Sequence, residues 1–600
     1  MSTGARVNRN WGFYAMHRLS HVMSEGAILA LVALTVSVVP RLASADWPSF
    51  GRPISAAPKG QNHPAIATDG ADGAIITWHD ERSPRVNIFA QHVLASGELD
   101  SAWPANGRAL LNDSLALANA AGGQSAPMIV PDGTGGAVVA WQDLRSSVTE
   151  IDIFAQHLLS SGVVDGAWPA NGTALVAIEG QQTALTMASD GAGGAIVAWM
   201  DTRPGASVAD IYAQHILASG LVDAHWPVNG IAVGTAPGRQ EFPAIVKDGA
   251  GGAIISWDDA RSGTSGIDVY AQHVLNSGVA DPAWPVNGRV LCAASGDQGH
   301  PTIAEDGAHG AIVAWTDSRI VGTAHIFAQH VFASGDVDPV WPANGRAVSD
   351  AANLESRPLA VPDGAGGTVV TWQGFTIQLN MYVQHVTAAG VVDPAWPAGG
   401  RALSNTDRQQ THGAIVPDGA GGAIVAWQDN ADIVAQHVLS TGAFDPRYPD
   451  TGRAVCNLPS QQGEPALAAT GAGGAIVTWT DARSGVGSDI FALQVLAAGT
   501  VEVTGSAPPE ITFARPTPNP ARGSLRLRYA LPRDAVVRLT IYDITGRRVR
   551  DLVSGAEHAG KHAIDWDLSD VRGEAVGAGI YFARLEVERR TLIQRLVAMR

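Results

Sequence analysis

The residues in this chain best suited to chemistry recur at fixed intervals. His92, His157, His215, His273, His330, His385 and His437 each follow a glutamine in the same short phrase, and Val495 stands where an eighth is expected. Seven histidines suggest a metal, but zinc needs its nitrogens at about 2.0–2.1 Å, whereas equivalent sites on stacked sheets lie about 10 Å apart. They cannot converge on one ion, so the expectation is a buried histidine hydrogen-bonded within its own repeat. Six copies of a second phrase place an aspartate two residues before an arginine: Asp80/Arg82, Asp143/Arg145, Asp201/Arg203, Asp259/Arg261, Asp317/Arg319 and Asp481/Arg483. Such a pair can grip an acid group, but six copies in similar loops read as turn-stabilising ion pairs.

A third set stands immediately before the first strand of each repeat, at one equivalent position, without repeating its residue type: His63, Ala126, Ala184, Phe242, His300, Arg357, His412 and Glu464. In a closed ring, one side would carry His300, Arg357, His412, Glu464 and His63, and the other Ala126, Ala184 and Phe242. A polar cluster beside an apolar arc suits a pocket for a small polar molecule or a glycan. These five ionisable residues are therefore the candidate ligand-binding set. Glu241, Glu355 and Glu464 are the carboxylates from which an alternative, hydrolytic or lyase site would be built. A Walker loop, a G-x-S-x-G elbow, H-E-x-x-H and EF-hand spacing are all absent from the sequence. No catalytic set, metal site or cofactor is expected.

What positions these residues is a repeat. The phrase DGAGGAIVAWQD at 418–429 has near-copies ending on Trp78, Trp141, Trp199, Trp257, Trp315, Trp372, Trp427 and Trp479, spaced 63, 58, 58, 58, 57, 55 and 52 residues apart. Each unit holds four short β-branched runs and no helical periodicity, and the Asp-Gly-Ala-Gly-Gly between the first two supplies the positive φ of a tight turn. The second run is apolar on both faces, as a sheet packed between neighbouring sheets requires. The expected fold is therefore all-β: an eight-bladed β-propeller over residues 46–503, then a linker at 504–514 and a small immunoglobulin-like β-sandwich over 515–600. The alternatives are an open β-solenoid or a string of small sandwiches. The chain after Asp46 opens on a fourth strand, DWPSFGRPIS, while the repeats stop after a third, DIFALQVL, so the first strand can complete the last blade. This resembles the ring closure of WD-repeat propellers, whose structural His-Asp-Trp network the repeated histidines also resemble.

Function in a repeat protein sits where the repeats disagree. Counted from the Trp to the residue two before Gln-His's preceding residue or its counterpart, the second-to-third connection varies from 6 to 12 residues, and the fourth-to-first connection carries one insertion around Leu115 to Ala121. In antiparallel blades both connections lie on one face, the expected binding face.

The remaining sequence speaks to address. Arg6, Arg9 and Arg18, an apolar run from Ala27 to Val39 and Ala43-Ser44-Ala45 have the order of a secretory signal over residues 1–45, the run being shorter than the roughly 20 residues that span a bilayer. The two cysteines, Cys292 and Cys456, occupy the same register of different repeats and are expected to be free thiols. The net charge of −17 divides into +3 for residues 1–45, −25 for 46–507 and +5 from Pro508 onward, so nucleic acid and anionic membrane are poor partners for the body. In the tail, Pro518-Asn519-Pro520, Tyr542-Asp543-x-x-Gly546-Arg547, Gly579-Ile580-Tyr581 and the basic terminal strand resemble the carboxy-terminal sorting domains of type IX secretion and the immunoglobulin-like domain of flagellar hook-capping proteins. That resemblance implies a bacterial protein, secreted or held at the outer-membrane surface, with the type IX machinery as partner. The expectation is an exported monomer that binds a glycan, a protein or a small polar ligand through its variable-loop face without catalysis; the alternatives are a propeller hydrolase or lyase acting on polysaccharide, and a structural surface-layer protein.

Overall fold

The computed structural model describes residues 47–599 except 84, 112–122, 146–149, 205–207, 264–265, 351–353, 472, 496–510, 514–515, 517–518, 532–534, 558–559, 573 and 588–589. The expected export signal and the insertion around Leu115 to Ala121 lie outside the described residues. Eight four-stranded antiparallel sheets make the blades of a propeller. Blade one is Gln61–Thr68, Ala74–Asp80, Asn87–Val93 and Arg108–Ala109, in that order across the sheet. Its first strand packs against the first strands of both neighbours, Gln124–Pro131 and Gln462–Ala469, which places the first strands innermost. Blade eight takes three strands from the end of the repeats and its fourth from the start: Arg52–Ser55 pairs with Asp489–Val495, Arg52 opposite Ala492.

The composition of the second strands explains the stacking. Ala74, Ile75, Ile76 and Trp78 are all completely buried, because one face packs on the preceding blade and the other on the next. The indole of Trp78 lies beneath the Asn106-Gly107 turn, where Gly107 has φ +90° and a Cβ would come within 2.4 Å of the ring. Only glycine fits that contact. The indole N–H of Trp78 donates to Asp80 at 2.8 Å, Arg82 grips the same carboxylate at 2.5 Å and reaches the carbonyl of Asn106 at 2.7 Å, and its guanidinium stacks 4.0 Å over Phe89. The same Trp, Asp and Arg contacts recur at Asp143, Asp201, Asp259, Asp317 and Asp481, so the Asp-x-Arg phrases are blade staples. Blade seven lacks the Arg, and Arg408 from the preceding connection replaces it, 3.1 Å from Asp429.

The seven histidines are scaffold in the same sense. His92 joins Asp69, on the turn before the second strand, to Asp100, after the third strand, through Nε2 and Nδ1 at 2.9 Å each. Asp69 also accepts the N–H groups of Ala71 and Gly73, so one carboxylate shapes the turn and anchors the imidazole. Burial alone would depress the His92 pKa, yet the hydrogen bonds to Asp69 and Asp100 outweigh it and hold the ring above its ordinary value; His273, His385 and His437 behave alike. In blade eight the register sets Gln494, not Val495, opposite Ile476, where His92 stands opposite Ile75. The expectation of Val495 was one residue out of register, because the eighth copy reads Ala-Leu-Gln in place of Ala-Gln-His. Thr470 replaces the turn aspartate in that blade, so acid and base are lost together. Cys292 and Cys456 are free and buried.

The C-terminal region forms two sheets, one of Thr512–Phe513, Leu525–Leu531 and Gly560–Trp566, the other ordered Arg548–Glu557, Ala535–Asp543, Gly579–Val587 and Arg590–Ala598. Alternation along Leu525–Leu531 buries Leu525, Leu527, Tyr529 and Leu531 with Leu539, Ile541, Trp566 and Leu585, the two-faced pattern of an immunoglobulin-like sandwich.

Candidate functional site

The eight variable positions are not before the first strands, as the sequence suggested, but inside them. Each is the third or fourth residue of its strand, at a bulge: the ladder of blade one jumps from Asn62 to Ala65, leaving His63 and Pro64 unpaired with the second strand. His63, Ala126, Ala184, Phe242, His300, Arg357, His412 and Glu464 all have φ between 49° and 54°. Non-glycine residues seldom adopt this conformation, and eight copies of it re-aim one side chain per blade toward the axial end of the ring.

Four of the five candidates, His63, Arg357, His412 and Glu464, line one cavity of about 640 Å³. The first strands of blades six, seven, eight, one and two build it, with His79 and Gln373 adding polar groups and Met128, Met381 and the prolines that follow the bulges adding apolar wall. His300 is not among the lining residues. Its ring lies tilted against Phe242 with centroids 4.8 Å apart, and its backbone N–H donates to Asp258 at 2.8 Å. The cavity therefore takes in Ala126 from the expected apolar arc and leaves out His300 of blade five, next to Arg357 of blade six. Burial pushes Asp258 up to about 8, so this carboxyl is substantially protonated at neutral pH.

Within the cavity the charges differ in their commitments. Glu464 is satisfied by its neighbour across the ring closure: Oε2 accepts the His63 N–H at 2.9 Å and Oε1 lies 3.1 Å from His63 Nδ1. The His63 ring meets His79 edge-on at 5.7 Å. Burial, followed by repulsion from His63, lowers the His79 pKa, which keeps that ring neutral. Arg357 is exposed, and among the described residues no carboxylate pairs with it or with His412, whose Nδ1 is 3.1 Å from the Thr411 hydroxyl. Of the three carboxylates proposed for catalysis, only Glu464 lines this cavity. Glu241 pairs with Arg239 at 3.4 Å. Glu355 is buried in blade six against Ser349 and pushed up to about 7 by that burial.

His79, Gln373, Met128 and Met381 escaped the sequence reading. A signal existed for the first two. The residue after each repeated tryptophan is His79, Gln142, Met200, Asp258, Thr316, Gln373, Gln428 or Thr480, as variable as the bulge residues, and it pairs in register beside the bulge, His79 with Asn62.

Residues 520–590 match the FlgD Ig-like domain family. No curated protein matches the chain. Among solved structures, an ulvan lyase of a polysaccharide lyase family is 10% identical, covering 74% of this chain and 95% of its own at a TM-score of 0.37. An α-L-arabinofuranosidase of Fusarium graminearum is 12% identical, with 52% and 91% covered and a TM-score of 0.30. A protein of unknown function from Dyadobacter fermentans is 8% identical, with 53% and 96% covered and a TM-score of 0.34. At these values none of them lends the chain a substrate.

Proposed function

We propose that this is an exported bacterial propeller that binds a small polar ligand or glycan, without chemistry, in the cavity at the axial end of its ring. The observation that supports this reading is the cavity of about 640 Å³, within the usual range for small-molecule sites, in which a guanidinium and an imidazole have no carboxylate partner among the described residues. The variable second-to-third connections surround the same end, and the shortest of them, the Asn430-Ala431 hairpin between Asp429 and Asp432, lies in the blade that carries His412. In keeping with the tail's motifs, the C-terminal sandwich engages a type IX secretion machinery, and the protein acts outside the cell or at its surface. The test is a glycan array probed with the full chain and with Arg357→Ala. Binding that the substitution weakens tenfold or more, about 1.4 kcal/mol, supports the site; binding that ignores it assigns the ligand elsewhere.

Catalysis in the same cavity is the second reading, and the presence of His412 and Arg357 in one lining favours it, because a lyase needs a base and a cation rather than two carboxylates. Release of unsaturated ends from an acidic polysaccharide, abolished by His412→Gln, would establish it over simple binding.

A further inference from the structure

Resting on the binding reading, we infer that the ligand of the axial cavity is a monoanionic carboxylate, held by its acid group on Arg357 and His412 and by an apolar flank on Met128 and Met381. Four observations converge. Arg357 and His412 stand at the same bulge of adjacent blades and line one cavity. Both lack a carboxylate partner among the described residues, whereas Glu464, which lines the same cavity, is already occupied by the backbone N–H and imidazole of His63. A planar guanidinium matches a carboxylate fork through two parallel N–H···O bonds. The apolar lining, Met128 of blade two, Met381 against Gly413 and the prolines after the bulges, offers dispersion and no hydrogen bonds to the rest of the ligand.

The charge count selects a monoanion over a dianion. The body from 46 to 507 carries a net −25, so an anion is attracted only by groups local to the mouth. There, among the described residues that line the cavity, Arg357 is the one permanent positive charge, and the Glu464 carboxylate is engaged by His63. A phosphate dianion would bring a second negative charge with no fixed cation to meet it. A uronate sugar and a free aryl- or alkyl-carboxylic acid share the chemistry required; the experiment below separates them.

Titration calorimetry of the full chain at pH 6 with methyl galacturonoside, a single uronate, and with phenylacetate, each beside its neutral amide, tests the inference. At least one acid should bind, its amide at least tenfold more weakly, and Arg357→Gln should weaken the acid by tenfold or more while Arg357→Lys loses less. Ala184→Ser, at the equivalent bulge outside the cavity, should leave binding unchanged. Methyl galacturonoside alone binding identifies the sugar source, and phenylacetate alone the free acid; both uphold the carboxylate. If the amides bind as tightly as the acids and still respond to Arg357→Gln, the cavity stands as the site and the carboxylate reading falls. Acid binding indifferent to Arg357→Gln overturns the site itself, and no binding of either acid overturns the carboxylate class.

Discussion

A residue that repeats seven times is legible as scaffold, and the histidines show why that inference is physical. Each imidazole bridges two carboxylates inside one blade; His215, for instance, meets Asp190 and Asp223 at 3.0 Å each. Changing His215 to Ala leaves both buried acids without their donor, which should cost about 1–3 kcal/mol, measured as a shift of the denaturant midpoint with unchanged slope. The same clamps give the protein a pH profile. His92, His273, His385 and His437 have raised pKa values when folded, so their stabilisation is complete below the unfolded histidine value of about 6.5 and is lost as pH rises through the raised ones. Their turn partners Asp69, Asp248, Asp363 and Asp418 are lowered despite burial, by bonds to the imidazoles and backbone N–H groups, so their contribution is present above the unfolded aspartate value of about 3.9 and lost as pH falls through the lowered ones. Asp258 and Glu355, pushed up to about 8 and about 7 by burial, keep protons in the fold that they release on unfolding, which also favours the acid side. The melting temperature should therefore be several degrees higher at pH 5.5 than at pH 8.5. The reverse order in a calorimetric scan would contradict these assignments.

At the scale of the element, the turn between the third and fourth strands combines a positive φ with a close contact to the buried indole. Gly288 has φ +92°, and a Cβ there would stand 2.5 Å from the Trp257 ring. Gly288→Ala meets both backbone strain and a clash with a fully buried indole, and should cost more than about 1 kcal/mol, whereas Gly191→Ala, on an open turn with φ +75° and nothing within 4 Å, carries the strain alone. Thermal melts of the two variants separate clash from strain. Elements were also where the sequence was most and least informative. The Asn-Gly turns, the β-branched strands and the spacing of the tryptophans disclosed blade order because each is local. The bulges were invisible: His63-Pro64 reads as a strand boundary, since proline donates no ladder hydrogen bond, and the αL backbone that turns His63 inward is imposed by packing around the axis. The exclusion of His300 from the cavity was equally hidden, for it depends on Phe242 and Asp258, which belong to the preceding blade.

A ring has one seam, and at the scale of the molecule its strength decides whether the blades cooperate. The seam here is layered from rim to axis. Arg52–Ser55 completes blade eight, with Ile54 and Ser55 almost fully buried at 1% exposure each. The Trp47 ring lies against Gly97 of blade one, where a Cβ would come within 2.8 Å of it, as Trp103 lies against Gly162 one blade on. Arg52 donates to the Gly97 carbonyl at 2.7 Å, Arg483 to that of Phe50 at 3.0 Å, the Gln61 N–H to Ser488 at 2.7 Å, and the Gly471 N–H to Asp72 at 2.5 Å. His63 and Glu464 close the innermost layer and belong to the ligand cavity, so the seam and the site share residues. Trp47→Ala should cost about 3–5 kcal/mol, the usual loss for a buried tryptophan. Deleting Trp47 to Ser55 removes that ring, Ile54 and the outer strand together, and should lower stability further while freeing Glu464 from His63 as blades eight and one part. The deletion should therefore weaken ligand binding at the mouth even though none of the deleted residues lines it. A deletion variant that melts with the intact protein, or that keeps full affinity while its blades unfold separately, would show that the ring is held by its inner strands alone.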